Sequence, residues 1–195
     1  MNPMSSIIFL LPFVLFLTFQ PHLVVARGQQ SNATATATAT ASSLITQVCK
    51  GLTHKDFCVS VLEASPDSQK ADLKGLLFIA LKLAAKNATD TSTHIKQYLN
   101  DNSEEEPAEE QGLNDCSESY IDAVDQIDDA VVALSVNAYP DIDKWVKAAI
   151  TDVDACEGLV QGQTTGQALE VSHNNHTLRL LLNVALGILH ALSHN

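Results

Sequence analysis

Residues 116–156 read CSESYIDAVDQIDDAVVALSVNAYPDIDKWVKAAITDVDAC, a stretch that begins and ends with cysteine. On both sides of its centre, apolar side chains recur at alternating spacings of three and four residues, which is the period of one face of an α-helix. In the first half these are Tyr120, Val124, Ile127, Val131 and Leu134, and in the second half and just beyond it they are Ile142, Val146, Ala149, Val153, Cys156 and Val160. The stretch therefore predicts two consecutive amphipathic helices.

A turn is expected between these helices, at the sequence Asn-Ala-Tyr-Pro-Asp of residues 137–141. Proline interrupts a helix, and Asn and Asp favour turns. Cys116 lies 22 residues before Ala138, and Cys156 lies 18 residues after it. At about 1.5 Å of rise per residue, the two arms differ in length by only about 6 Å. The two sulfurs can therefore meet across an antiparallel helical hairpin.

The composition favours an acidic helical domain. Of the 195 residues, 46% are hydrophobic but only 5% are aromatic, so Leu, Ala, Val and Ile must fill the core. The formal net charge of −12 argues against nucleic acid and anionic membranes as partners. It suits a basic protein partner, although solubility alone would also explain it. We find no catalytic, phosphate-binding or dinucleotide-binding motif, and therefore expect no enzyme and no cofactor.

The first 26 residues predict a signal peptide. Residues 7–19 are almost all apolar, and Val24-Val25-Ala26 offers a cleavage site with a small terminal residue. A stretch of thirteen mostly apolar residues is too short to span a bilayer, which needs about 20 apolar residues. We expect residues 27–43, rich in Thr and Ala, to be a disordered linker, and residues 44–195 to form one folded domain. The predicted location is extracellular.

Four cysteines remain for an oxidising compartment, and sequential pairing is the simplest of their three possible connectivities. A zinc site formed by Cys49, His54 and Cys58 is the alternative for the first pair. His190 and His194 are four residues apart, but we expect them to lie in a frayed C-terminus. Three sequons are candidate N-glycosylation sites, beginning at Asn32, Asn87 and Asn175.

The remaining segments predict further helices around the central hairpin. Two short helices are expected over residues 44–50 and 56–64, followed by a helix start at Ser65-Pro66-Asp67 and helical periodicity from Leu73 to Leu99. Residues 100–112, with an acidic cluster, predict a solvated loop, and residues 158–175 predict a connection. A last helix is expected over residues 178–192, too short for a membrane span. Together these segments predict an all-α fold, an antiparallel four-helix bundle preceded by a short helical hairpin.

Acidic side chains follow the solvent side of the first central helix at the same helical period. They are Glu118, Asp122, Asp125 and Asp129, and the facing helix carries Thr151, Asp152 and Asp154. Like charges at this spacing destabilise a helix by about 0.2–0.5 kcal/mol per pair. The pattern is typical of a solvated polar face, and it is also the strongest candidate for a binding surface in the chain.

Four short motifs, in order, resemble the plant pectin methylesterase and invertase inhibitor family. Residues 49–58 are similar to its first cysteine pair, and DLKGL at residues 72–76 to the start of its first bundle helix. Residues 116–125, CSESYIDAVD, are similar to its C-x-E-x-Y-x-D-A-x-D motif. Residues 145–156 are similar to its W-x-S-A-A-x-T…C motif. The resemblance extends from about Leu44 to Leu192.

This resemblance implies a secreted, monomeric inhibitor without catalytic activity, with disulfides Cys49–Cys58 and Cys116–Cys156. By analogy with the pectin methylesterase inhibitors of the family, helices of the bundle would cover the pectin-binding cleft of the enzyme in a one-to-one complex. The candidate contact residues are Asp122, Asp125, Thr151 and Asp152. An acid invertase of the cell wall or vacuole is the alternative partner.

Two features depart from the family pattern. Lys147 and Ala155 stand where the family has Ser and often Thr, close to the candidate surface. The invertase-directed members often carry a Pro-Lys-Phe segment after the last cysteine, whereas residues 157–177 contain none of these three residue types. Binding of a wall polysaccharide or a receptor, and a family member without inhibitory activity, remain further alternatives.

Overall fold

The computed structural model describes residues 42–101 and 107–194, which form helices and their connections. The helices are α1 (residues 42–49), α2 (Lys55–Glu63), a 3-10 helix (Pro66–Lys70), α3 (Leu73–Asp101), α4 (Pro107–Ser135), α5 (Tyr139–Val160) and α6 (Gly166–Ser193). No strand occurs within these two ranges. The predicted signal peptide and most of the predicted linker lie outside them.

Helices α3–α6 form a four-helix bundle in which each helix packs against two others, α3 with α4 and α6, and α5 with α4 and α6. Polar contacts fix the antiparallel order. Lys74 at the start of α3 donates to Asn137, just after α4, with an Nζ–Oδ1 distance of 2.7 Å. Tyr98 near the end of α3 donates to Glu170 near the start of α6. The predicted fold class is confirmed.

The core is aliphatic, as the composition requires. The predicted stripe of α5 is buried throughout, whereas that of α4 is buried at Tyr120, Ile127 and Leu134 only. Val124 and Val131 of the same stripe are half-buried. Alanine recurs at buried positions of every bundle helix, which lets the helix backbones approach closely. Tyr120 is the largest fully buried side chain and brings a hydroxyl into this apolar interior. Its partners are described below.

The N-terminal hairpin of α1 and α2 is closed by a disulfide between Cys49 and Cys58, whose Cα atoms are 5.7 Å apart. Leu52, in the connection between the two helices, lies against Gly187 of α6. A Cβ placed on Gly187 would be 2.4 Å from Leu52 Cδ2, so only glycine leaves room for this contact. The bond also excludes the alternative zinc site, because both thiols of that site are consumed.

A helix starts after Ser65 as predicted, with Pro66 in its first turn, but it is a short 3-10 helix and not the start of α3. Residues 66–70 form a short 3-10 helix without a side-chain cap from Ser65, and Ala71 has extended backbone angles that separate it from α3. The cap of α3 is instead Asp72, whose Oδ1 accepts from the backbone N–H of Gly75 at 2.8 Å. From Leu73 onward α3 is unbroken to Asp101, as the periodicity predicts.

The loop predicted over residues 100–112 is wrong for residues 107–112, which form the first turns of α4. Proline is tolerated in a first helical turn, and Glu109 and Glu110 there interact favourably with the positive end of the helix dipole. Gly112 is buried and faces the end of α5, where a Cβ on it would be in ordinary contact with the Leu159 carbonyl oxygen at 3.5 Å. The acidic cluster thus leads directly into a packed helix.

The connection predicted over residues 158–175 is reduced to residues 161–165, because α6 begins at Gly166. Its buried positions include Ala168, Val171, Asn175 and Leu178, which keep helical spacing through the polar segment. By length and composition α6 could cross a membrane, contrary to the expected short helix; 39% of its most apolar 18-residue window is buried in the domain. In the bundle it packs against α3 and α5.

Candidate functional site

The candidate surface lies on α4 and α5, the pair of helices that the second disulfide joins. The Cα atoms of Cys116 and Cys156 are 4.6 Å apart, and both residues are fully buried. This is the pairing that the family resemblance implies. The bond fixes the two helices side by side, so that the residues following Cys116 on α4 face those preceding Cys156 on α5.

The acidic residues of α4 lie on its solvent side. Tyr120, Ala123 and Ile127 are buried on the opposite side. The exposed residues of the row are Glu118, Asp122, Asp125 and Asp129. We call these four residues the acidic row. Because none of them contributes to the core, their substitution leaves the packing of the bundle intact.

Asp152 of α5 is the candidate residue whose charge interacts with this row, through Asp122. It is half-buried between the helices. Burial raises the pKa of its carboxyl, the Gln126 side chain partly offsets this by hydrogen bonding, and the charge of Asp122 raises it further. One oxygen of Asp152 and the amide oxygen of Gln126 are buried without a hydrogen-bond partner. The structure therefore places Asp152 where its negative charge is disfavoured both by burial and by the charge of Asp122.

Thr151 and Asp125 lie on exposed sides of the same two helices. The Thr151 hydroxyl donates to the backbone carbonyl of Lys147 at 3.1 Å, an interaction within α5. Lys147, the departure from the family pattern, forms an exposed ion pair with Asp143 of its own helix at 2.7 Å. This ion pair holds the lysine charge one turn away from Thr151, so Lys147 does not neutralise Asp122 or Asp152.

A buried polar network beside the second disulfide is absent from the sequence-based predictions. The Tyr120 hydroxyl donates to Asn175 Oδ1 at 2.7 Å. Asn175 Nδ2 donates to Glu157 Oε2 at 2.9 Å, and the Ser172 hydroxyl donates to Glu157 Oε1 at 2.8 Å. Burial raises the pKa of Tyr120 well above its usual range, a hydrogen bond with Thr91 partly offsets this, and the Glu157 charge adds to it. The network therefore connects α3, α4, α5 and α6.

This network corrects the predicted glycosylation at Asn175. The side chain is fully buried, and its amide nitrogen is engaged with Glu157. A glycan on that nitrogen would displace the contact and has no space in the folded domain. Asn87 is half-buried on α3 and remains a predicted acceptor, whereas Asn32 lies outside the described residues.

Metal ligation is not supported at the acidic surface. Among residues 42–101 and 107–194, no group of three or more His, Cys, Asp or Glu side chains is arranged to hold a metal ion. The candidate surface instead presents carboxylates and a hydroxyl on two helices that a disulfide joins. Such an arrangement can accept hydrogen bonds from, and pair with, the polar or basic groups of another macromolecule.

Comparison with known proteins places this architecture in a family. The family described as plant invertase/pectin methylesterase inhibitor matches residues 43–188. The chain is 31% identical over 187 residues to the cell wall / vacuolar inhibitor of fructosidase 2 of Arabidopsis thaliana, covering 95% of this chain and 96% of that one. It is 29% identical over 119 residues to the pectinesterase inhibitor of Actinidia deliciosa, covering 61% and 63%.

The fold has a close counterpart among solved structures. A mutant form of a pectin methylesterase inhibitor from Arabidopsis superposes with a TM-score of 0.66 at 20% identity, covering 75% of this chain and 95% of that one. The family match and the curated relatives, which are named as inhibitors, place the chain in a class of protein inhibitors and not of catalysts. The chain belongs to the plant invertase/pectin methylesterase inhibitor family.

Proposed function

We propose that this protein inhibits pectin methylesterase by covering the enzyme's pectin-binding cleft with the α4–α5 surface, in a one-to-one complex. The interacting carboxylates of Asp122 and Asp152 carry the proposal, because neither forms a salt bridge with a basic side chain in the described part of the chain. Asp125 and Thr151 extend the contact on either side. Pairing with basic or hydrogen-bond-donating groups of the enzyme relieves the repulsion between Asp122 and Asp152.

The charge distribution supports a protein partner. The chain carries a formal charge of −12, which accelerates association with a surface of opposite sign. Aromatic side chains make up 5% of the residues, and Trp145 is half-buried with Lys144 Nζ 4.2 Å from its ring centre. This leaves little exposed aromatic surface for stacking on a sugar. A wall polysaccharide is therefore the weaker candidate.

Inhibition of an acid invertase is the second candidate. It is favoured by the fructosidase inhibitor of Arabidopsis, to which the similarity extends over 95% of this chain. It is disfavoured by residues 157–177, which contain no Pro, Lys or Phe. The connection between α5 and α6, residues 161–165, is the segment that an invertase would contact in this case.

We further propose that residues 1–26 direct the chain to the secretory route and that the inhibitor acts in the apoplast or cell wall. Two observations support this location. The described cysteines are all paired in disulfides, which suit an oxidising compartment. The Arabidopsis relative is named as a cell wall / vacuolar inhibitor.

The function is tested by measuring inhibition of a plant pectin methylesterase and of a cell-wall invertase by the disulfide-bonded protein at mildly acidic pH. We expect inhibition of the esterase. Asp122→Ala and Thr151→Ala should each raise the half-inhibitory concentration by about tenfold, the effect of about 1.4 kcal/mol of lost binding free energy. Both residues are exposed, so circular dichroism should be unchanged.

Asp67→Asn is the matched control, since it removes an exposed carboxylate from the 3-10 helix instead. It should inhibit as the unmodified protein does. Inhibition of invertase alone would favour the second candidate. Full inhibition by both α4–α5 variants would move the contact surface elsewhere, and inhibition of neither enzyme would reject the proposed function.

A further inference from the structure

The last turn of α6 brings two histidines together. The sequence favours a frayed C-terminus here, but the helix continues to Ser193, with His194 as its cap. His190 and His194 are both exposed. Their ring centres are 4.3 Å apart, with an angle of 54° between the ring planes. The pair therefore lies on one face of an ordered helix.

We propose that His190 and His194 form a binding site for a divalent transition-metal ion, with Cu²⁺ preferred. Imidazole is a common ligand for such ions, and two histidines four residues apart on a helix can bind one ion together. A metal–nitrogen distance of about 2.0–2.1 Å and a ligand angle of about 90° place two ring centres about 4.5 Å apart. The observed separation of 4.3 Å is close to this value.

The ligand chemistry favours copper, because the affinity of nitrogen sites for divalent first-row metal ions reaches its maximum at Cu²⁺. Square-planar or tetragonal coordination by nitrogen is typical of Cu²⁺. In the described part of the chain no third His, Cys, Asp or Glu completes the site. Water would therefore occupy the remaining positions, and the ion should exchange freely.

The electrostatic surroundings favour a cation. The C-terminal end of a helix carries a partial negative charge, which attracts positive groups within the last turn. Residues 180–194 contain no Lys or Arg that would repel the ion. The site is on α6, so it is separate from the acidic row of α4 and from the proposed inhibitory contact. Metal binding at this site would be independent of the proposed inhibition.

The other histidines of the bundle provide internal controls. His54 and His176 form an edge-to-face pair with ring centres 6.5 Å apart. This separation exceeds what one ion at a 90° ligand angle can bridge. His173 and His176 are three residues apart on α6, and no contact between their rings is found in the described part of the chain. The structure thus distinguishes one pair among these exposed histidines.

The test is a titration of the disulfide-bonded, tag-free protein with Cu²⁺ at neutral pH, followed by calorimetry and by electron paramagnetic resonance. We expect one site with micromolar affinity and a spectrum with nitrogen ligands. His190→Ala and His194→Ala should each weaken binding by at least about tenfold, because losing even supporting groups of a metal site costs about 10–100-fold. Both side chains are exposed, so the variants should fold normally.

The matched control is the double variant His173→Ala, His176→Ala, which should bind Cu²⁺ within about twofold of the unmodified protein. Three outcomes would overturn the proposal: no binding by the unmodified protein, unchanged binding by His190→Ala, or loss of binding in the control variant. Inhibition of the target enzyme should be the same with and without the ion.

Discussion

Asp152 shows how the fold sets the properties of one carboxylate in the candidate surface. Burial raises the pKa of its carboxyl above the ordinary value of 3.8, and the charge of Asp122 acts in the same direction. The folded chain therefore holds the proton more tightly than the unfolded chain does. This contribution to stability is complete below pH 3.8 and is lost as the pH rises through the folded-state pKa. At neutral pH, the ionised Asp152 opposes folding.

We therefore predict that Asp152→Asn stabilises the domain at neutral pH and has a smaller effect at pH 3. The amide removes the charge and keeps a similar shape, so the gain should shrink once the native carboxyl is protonated. Urea denaturation at both pH values, with the disulfides intact, measures the difference. Asp67→Asn, at an exposed site, should show no comparable gain at neutral pH. Lower stability of Asp152→Asn at neutral pH would contradict the prediction.

At the scale of elements, the junction between α4 and α6 depends on Thr165. Its hydroxyl oxygen accepts from the backbone N–H of Ala168 at 3.3 Å and so caps α6. The same hydroxyl donates to Glu109, which is 7% exposed in the first turn of α4. One side chain therefore determines where α6 begins and provides the partner of a buried carboxylate.

We predict that Thr165→Ala destabilises the domain by about 1–2 kcal/mol, because both the cap and the partner of Glu109 are lost. Thr165→Ser keeps the hydroxyl and should recover most of this stability. Thr177→Ala, which removes only a hydroxyl bonded within α6, should remain within about 0.5 kcal/mol of the unmodified protein. Chemical denaturation of the three variants is the measurement, and equal stability of all three would contradict the role of Thr165.

These contacts explain which elements the sequence predicts well. The periodic apolar stripes of the central hairpin involve neighbours three and four residues apart, and the structure confirms both helices. The start of α6 depends on Thr165 meeting Glu109, 56 residues away in sequence. Local composition, rich in Gly, Gln and Thr, favoured a connection there. Contacts over such separations are set by packing and leave no periodic signal.

In the candidate site, too, features within one helix are predictable from the sequence, whereas contacts between helices are not. The acidic row of α4 is readable from spacing alone, because all of its members share one helix. The charge interaction of Asp122 with Asp152 depends on how α4 and α5 are aligned. The burial of Asn175 is not predictable for another reason. Its sequon indicates a surface position, whereas its side chain pairs with Tyr120, 55 residues away in sequence.

At the scale of the whole molecule, Tyr120 belongs to the hydrogen-bond network that connects the four bundle helices. Its hydroxyl is bonded to Asn175, which in turn contacts Glu157. We predict that Tyr120→Phe lowers the free energy of unfolding by about 1–3 kcal/mol, since it leaves the buried Asn175 oxygen without a donor. The transition should remain cooperative, because the apolar ring is retained.

Thermal or urea unfolding of the oxidised protein measures this effect. The matched control is Tyr139→Phe, whose hydroxyl is exposed and 3.4 Å from Asn137 Oδ1. It should change the stability by no more than about 0.5 kcal/mol. If Tyr120→Phe is as stable as Tyr139→Phe, the hydroxyl contributes nothing beyond its ring.

The contact between α3 and α6 closes the bundle, although these are its first and last helices along the chain. A growing polypeptide emerges at roughly 5–20 residues per second, so α6 becomes available several seconds after α3. Until then, the faces of α3 and α5 that α6 will cover have no partner. Formation of the Cys116–Cys156 bond before that moment would already hold α4 beside α5. Helices α4 and α5 would then already be joined when α6, the last and most apolar helix of the bundle, packs against α3 and α5.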